Sequence, residues 1–150
     1  MNEKQYHRVV TICVYFLYAV TILMAILIPV VTTIDNSVLN KIMGKAIARP
    51  KILYLYELIY NEVIVGYLLS MFLNFKEKEI FVVKNTEYLR RIGRLVILKD
   101  FIYIPFNLVA SETLTINFNA TAWMIGFLLI LFSRLLAHGI ELSEEQKYTV

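Results

Sequence analysis

Glu57, Asn61 and Glu62 lie inside one apolar stretch of this sequence, and Lys99, Asp100, Tyr103 and Asn107 lie inside another. Carboxylates, an amine and amides in apolar surroundings have two uses: they relay protons or ions, or they tie helices together through hydrogen bonds. Either use requires them to meet one another or water, because a charge facing lipid costs at least about 2.5 to 3.5 kcal/mol at mid-bilayer. At about 100° per residue, Tyr54, Glu57 and Asn61 share a narrow helix face, with Glu62 about 100° from Asn61, while Lys99, Asp100, Tyr103 and Asn107 form a stripe about 100° wide. Counting about 1.5 Å per residue along antiparallel spans puts Glu62 near the midplane and Lys99 roughly 7 Å closer to the cytoplasm, within reach of a lysine stem. The expected pair is therefore Glu62 with Lys99. Glu57 falls too far outward for Lys99, at nearly the depth of Asn107. Three readings stay open: Lys99 snorkels and the acids are neutral helix glue, the group forms a proton or ion path, or a polar core selects one of two helix packings.

Such residues need helices to position them, and the hydropathy pattern supplies four apolar stretches, at about 9–31, 52–75, 94–111 and 119–138. A bilayer core about 30 Å thick is crossed by roughly 20 helical residues. The first two stretches reach that length outright, and the other two borrow from their flanks. The expectation is an all-α integral membrane protein, a four-helix bundle forming a single polytopic domain over residues 1–150. Composition agrees: 59% of residues are hydrophobic and 18% charged, and mean hydropathy is +0.64, above the range of soluble domains. The longest polar connections are too short to bury a core of their own. The first apolar run is longer than a signal-peptide core and lacks a small-x-small cleavage site, so it reads as a retained span.

Lys and Arg set the orientation, since positive loops stay in the cytoplasm. With the N-terminus inside, nine fall inside (Lys4, Arg8, Lys76, Lys78, Lys84, Arg90, Arg91, Arg94, Lys147) and four outside (Lys41, Lys45, Arg49, Lys51). Both termini are expected in the cytoplasm, at an inner or plasma membrane. The four outer charges leave two variants open, an inverted topology or an interfacial helix over Lys41 to Lys51.

Enzymatic chemistry finds little support. The single Cys13 lies inside the first span and reads as a small apolar packer. His7 and His138 have no neighbouring ligand cluster, so no metal site and no cofactor is expected. No Gly-rich phosphate loop, HExxH or GxSxG occurs. Asn119-Ala-Thr121 matches a glycosylation sequon at the outer face. Pro105 should kink the third span by leaving the Phe101 carbonyl without its usual donor, whereas Pro29 and Pro50 read as span boundaries.

Between the second and third spans, an apolar link over 80–83 precedes a helix capped near Asn85 or Thr86 and running to Ala110. Lys84, Arg90, Arg91 and Arg94 would then sit at headgroup level, each Arg worth about 1 kcal/mol against anionic lipid. The tail is acidic instead, with Glu141, Glu144 and Glu145 opposed only by Lys147. The two segments could pair at the inner face, although exposed pairs contribute little. There is no room for a domain that reads nucleic acid directly.

These two segments carry a resemblance. Asn85-Thr86-Glu87-Tyr88-Leu89-Arg90-Arg91-Ile92-Gly93 ahead of an apolar span, and the ending from Gly139 to Val150, GIELSEEQKYTV, resemble the DUF2975 family of small bacterial four-span membrane proteins. That family shows an N-x-x-x-L-R-x-I approach to its third span and an acidic G-x-x-L-x-E-E-N-D-L-T-V-like end, from which Lys147 and Tyr148 depart. The resemblance implies a bacterial inner-membrane location, no established enzymatic activity, and frequent association with a small helix-turn-helix regulator. The functional expectation is a non-enzymatic membrane partner or sensor that controls such a cytoplasmic regulator by sequestration. The rival is a small carrier or accessory subunit of a membrane transporter that uses the span carboxylates and Lys99. Besides the lipid bilayer, the expected partner is a protein, either the regulator or a membrane complex subunit, and a homo-oligomer is compatible with the pattern.

Overall fold

A computed structural model describes residues 2–42, 50–77, 79–110 and 119–148. They form five helices: α1 (Glu3–Thr33), α2 (Asn36–Ile42), α3 (Lys51–Lys76), α4 (Val83–Ala110) and α5 (Ala120–Tyr148). The all-α expectation holds. Local chemistry sets several ends. The Asn2 backbone N–H donates to Gln5 Oε1 at 3.1 Å where α1 starts. Pro50 stands just before α3, where a missing N–H costs nothing. At α5, Asn119 Oδ1 accepts the Ala122 N–H at 3.1 Å, so the asparagine of the sequon is a helix cap. Pro29 departs from its expected place at a boundary, since α1 continues past it to Thr33. The Thr32 and Thr33 hydroxyls donate to the Pro29 and Val30 carbonyls at 2.6 and 2.9 Å, and the Val30 carbonyl also accepts the Ile34 N–H at 3.1 Å, so the last turn is closed by backbone and side chains together.

Among the described residues three helices, α1, α3 and α5, are long and apolar enough to cross a membrane, one fewer than the sequence pattern suggests. At most 17% of the most apolar window of any of them is buried inside the protein. Phe16, Ile22 and Ile26 on α1 and Met124, Phe132 and Leu135 on α5 instead point outward, an apolar surface of the kind that requires a nonaqueous neighbour. α4 has the length, but Arg94, Lys99 and Asp100 fall within or beside its apolar part.

Each long helix packs against the next, α1 on α3, α3 on α4 and α4 on α5. All three pairs are antiparallel. The Tyr6 hydroxyl donates to the Phe75 carbonyl at 3.0 Å, and at the far end Lys51 Nζ reaches the Thr32 carbonyl at 3.2 Å. Asn74 meets Asn85, and the Tyr60 hydroxyl donates to the Leu95 carbonyl. On α5, Ser133 lies beside Arg90, and the Trp123 ring lies 5.1 Å from that of Phe101. One end of the protein therefore gathers the start of α1, the α3–α4 turn and the last turns of α5. The other holds α2, which tucks Leu39 against Val31 and Tyr54 in an apolar cluster flanked by Ile34, Leu55 and Leu58.

The α4–α5 crossing depends on two glycines. A Cβ on Gly93 would stand 2.7 Å from the Gly126 carbonyl oxygen, and one on Gly126 would stand 2.6 Å from Ile97 Cγ1 and 2.8 Å from the Gly93 carbonyl oxygen. Backbone approaches backbone here, which is the benefit of small residues when lipid offers no hydrophobic drive for association. Ser133, fully buried, continues the same small-residue face. Gly93→Ala should therefore force the helices apart and lower stability by about 1 to 3 kcal/mol. Gly66→Ala, with open space around it, should be neutral or stabilise by up to about 1 kcal/mol through helix propensity. Thermal unfolding in detergent checks both, and equal effects at the two positions would contradict the close crossing.

Candidate functional site

The most completely bonded polar group lies at the α3–α4 turn. Asn85 is fully buried. Its Oδ1 accepts from Asn74 Nδ2 at 2.7 Å, while its Nδ2 donates to the Glu79 and Ile80 carbonyls at 2.8 and 3.0 Å. Its backbone N–H donates to the Val82 carbonyl at 3.0 Å. Thr86, also buried, donates its hydroxyl to the Val83 carbonyl at 2.6 Å. Asn85 is expected from sequence to cap a helix beginning beside it; α4 instead begins at Val83, and the Asn85 side chain reaches backward to hold the turn and sideways to hold α3.

This tight turn fixes the register of α3 against α4 and changes the pairing of the span residues. Tyr60 meets Leu95, and the Tyr67 and Tyr88 rings lie 5.8 Å apart, so a step back along α3 matches a step forward along α4. Lys99, half-buried, is then level with Tyr56 and Glu57, and Glu62 is level with Gly93. Lys99 lies about 9 Å farther than Glu62 from the α3–α4 turn, whereas the sequence count places it nearer. Direction disagrees as well. Glu62 follows Tyr60 by two residues and leaves α3 about 200° around from it, opposite α4. No ion pair joins Glu62 to Lys99 among the described residues; Glu62 Oε2 is buried with no hydrogen-bond partner. Counting depth from span ends erred because α4 starts well before its apolar part. Glu57 and Asn61 are half-buried on α3. The side chains of Asp100, Tyr103 and Asn107 lie outside the described residues, as do those of 102–110 that would bear on the Pro105 kink.

Sequence reasoning missed a second buried pair. The Tyr54 hydroxyl donates to Asn40 Oδ1 at 2.9 Å, and Asn40 Nδ2 donates to the Asn36 carbonyl at 2.8 Å, tying α2 to α3. The available signal was an asparagine in a short segment ahead of a tyrosine-bearing helix, too common a combination to single out.

On α4, Arg91 sits 5.7 Å from the centre of the Tyr67 ring, within 3.5 Å of its hydroxyl and 3.8 Å from Glu87 Oε2. The Tyr67 contact, followed by Glu87, holds its guanidinium above the ordinary pKa. Arg90 turns the other way, its Nε 3.4 Å from Ser133 Oγ. Lys84 and Arg94 are exposed. Glu141, Glu144 and Glu145 are exposed on α5, which remains helical where a separate tail is expected. Glu141 lies 3.6 Å from His138 Nδ1. Of the expected partner surface, Lys84 lies at the same end as Glu141, Glu144 and Glu145, whereas Arg90, Arg91 and Arg94 stand farther along α4, level with the middle of α3 and with the stretch of α5 around Ser133, so the basic and acidic groups are not brought together as one surface.

Asn85→Ala should cost about 2 to 3 kcal/mol, because it strands the Glu79 and Ile80 carbonyls and the Asn74 amide. Glu62→Gln and Lys99→Met should be additive within about 0.5 kcal/mol. Thermal unfolding of single and double variants in detergent measures both, and strong coupling between Glu62 and Lys99 would contradict the register.

Compared with family models, with curated proteins and with solved structures, the chain finds no match. The resemblance to the DUF2975 family therefore stays an expectation that rests on the two motifs and on the chain's length and four-span pattern.

Proposed function

We propose that the chain is a non-enzymatic bacterial inner-membrane protein that holds a small cytoplasmic DNA-binding regulator at the membrane. In this reading α4 is the fourth span and both termini face the cytoplasm. The observation that carries it is the length of α5. Its 29 residues extend about 43 Å, against a bilayer core of about 30 Å. Roughly 13 Å of helix is left over, and it carries exposed Glu141, Glu144 and Glu145, with exposed Lys84 of α4 at the same end. Phe81, Val83 and Leu142 add exposed apolar side chains at the same end. Apolar anchors within a charged rim are what a soluble protein needs for docking.

Holding the regulator there lowers its free concentration at promoters without any chemical step. The resemblance supports this partner, since its ending motif, 139–150, contains the described part of the overhang, and its other motif starts at the α3–α4 turn of the same end. The rival reading, a small carrier or transporter subunit, is favoured by one observation, the unpartnered buried oxygen of Glu62.

Two measurements test the reading. In a Cys13→Ser background, cysteines replacing Glu77 or Ser143 should resist an impermeant thiol reagent in intact cells, while one replacing Ser37 should react; the reverse pattern would invert the topology. Removing residues 141–150, or making Lys84→Gln, should release the co-purifying regulator into the soluble fraction while the spans still insert. Retention of full activity by both, with loss on Glu62→Gln, would replace sequestration with transport.

A further inference from the structure

Two buried oxygens without hydrogen-bond partners, Thr21 Oγ1 and Glu62 Oε2, occupy the same level of the α1–α3 interface. At the end fixed by the contact of Lys51 with Thr32, Thr21 lies eleven residues before Thr32 and Glu62 eleven after Lys51. From the other end, fixed by Tyr6 and Phe75, the two positions agree to within two residues. Both also face the interface. Val10, Val14 and Leu17 are buried along α1, and Thr21 is the next position at that three-to-four-residue spacing. Glu62 extends the stripe of Leu55 and Leu58, which pack against the cluster holding Val31 of α1, and it points away from α4.

Neither oxygen reaches the other directly, since each lacks a partner within hydrogen-bonding distance. A buried carboxylate oxygen left unbonded is costly, and in native proteins such groups are satisfied by protein or by ordered water. We infer that Thr21 and Glu62, both half-buried, form a polar site between α1 and α3 that takes one water molecule, which bridges the Glu62 carboxyl oxygen and the Thr21 hydroxyl. Two polar partners meet the minimum for a buried water. The site clamps α1 to α3 midway between their two terminal hydrogen bonds, and it stands apart from the docking surface at the turn.

The sign of one conservative substitution decides the matter. If the site holds water, Thr21→Val removes a partner and lowers the melting temperature in detergent by several degrees, and Thr21→Val with Glu62→Leu loses less than the two single losses together. If the oxygens are empty-handed, Thr21→Val relieves a cost and raises the melting temperature, which would overturn the inference. Stabilisation that appears in sodium or potassium chloride and vanishes in choline chloride would overturn it in favour of a cation. Placement is tested separately in a Cys13→Ser background. Thr21→Cys should crosslink with Glu62→Cys on mild oxidation and not with Tyr60→Cys, which faces α4; the opposite preference would refute the shared interface.

Discussion

Burying one asparagine side chain with all its hydrogen bonds satisfied is the constraint on which the helix arrangement turns. Asn85 joins the Asn74 amide, two carbonyls of the connecting turn and its own helix start. The Glu79 and Ile80 carbonyls face the buried Asn85 side chain, and leaving that buried amide unpaired would cost about 1 to 3 kcal/mol. Once those bonds form, α3 and α4 must run antiparallel in a single register. Tyr60 then finds the Leu95 carbonyl, and Arg91 finds Tyr67.

α3 is shared between two different kinds of contact. Toward α4 it presents tyrosines and Asn74, and the helices communicate through hydroxyls and amides. Toward α1 it presents leucines and one glutamate, and the contact is mainly apolar. α4 in turn meets α5 by near contact of backbones at Gly93 and Gly126. The three interfaces are thus held by hydrogen bonds, by side-chain packing and by the absence of side chains. That variety lets each helix recognise its neighbour when hydrophobicity alone cannot discriminate among equally apolar surfaces.

The helices were legible in the sequence because twenty-residue apolar runs have few other physical meanings. Boundaries near Lys51 and Lys76 follow from Pro50 and the charge run, and α5 follows from Asn119. The polar site was not legible to the same degree. Helical periodicity correctly separated Glu62 from Asn61 but gave no absolute rotation for α3, so nothing in the pattern showed that Glu62 faces α1 and Lys99 faces elsewhere. Depth counting failed because α4 extends through Lys84 to Arg94 before its apolar part begins. Gly93 and Gly126 carried no signal from either helix alone, since close approach is a property of the pair.

The dissimilar closeness of the interfaces has a mechanical consequence. α1 with α3 and α4 with α5 approach closely along much of their lengths, whereas α3 and α4 stand farther apart and are bridged by side chains, Tyr60 to the Leu95 carbonyl and Asn74 to Asn85. The overhang of α5 belongs to the second pair, whose backbones come together at Gly93 and Gly126. A displacement of the overhang would therefore reach α4 directly and α3 only through those bridges.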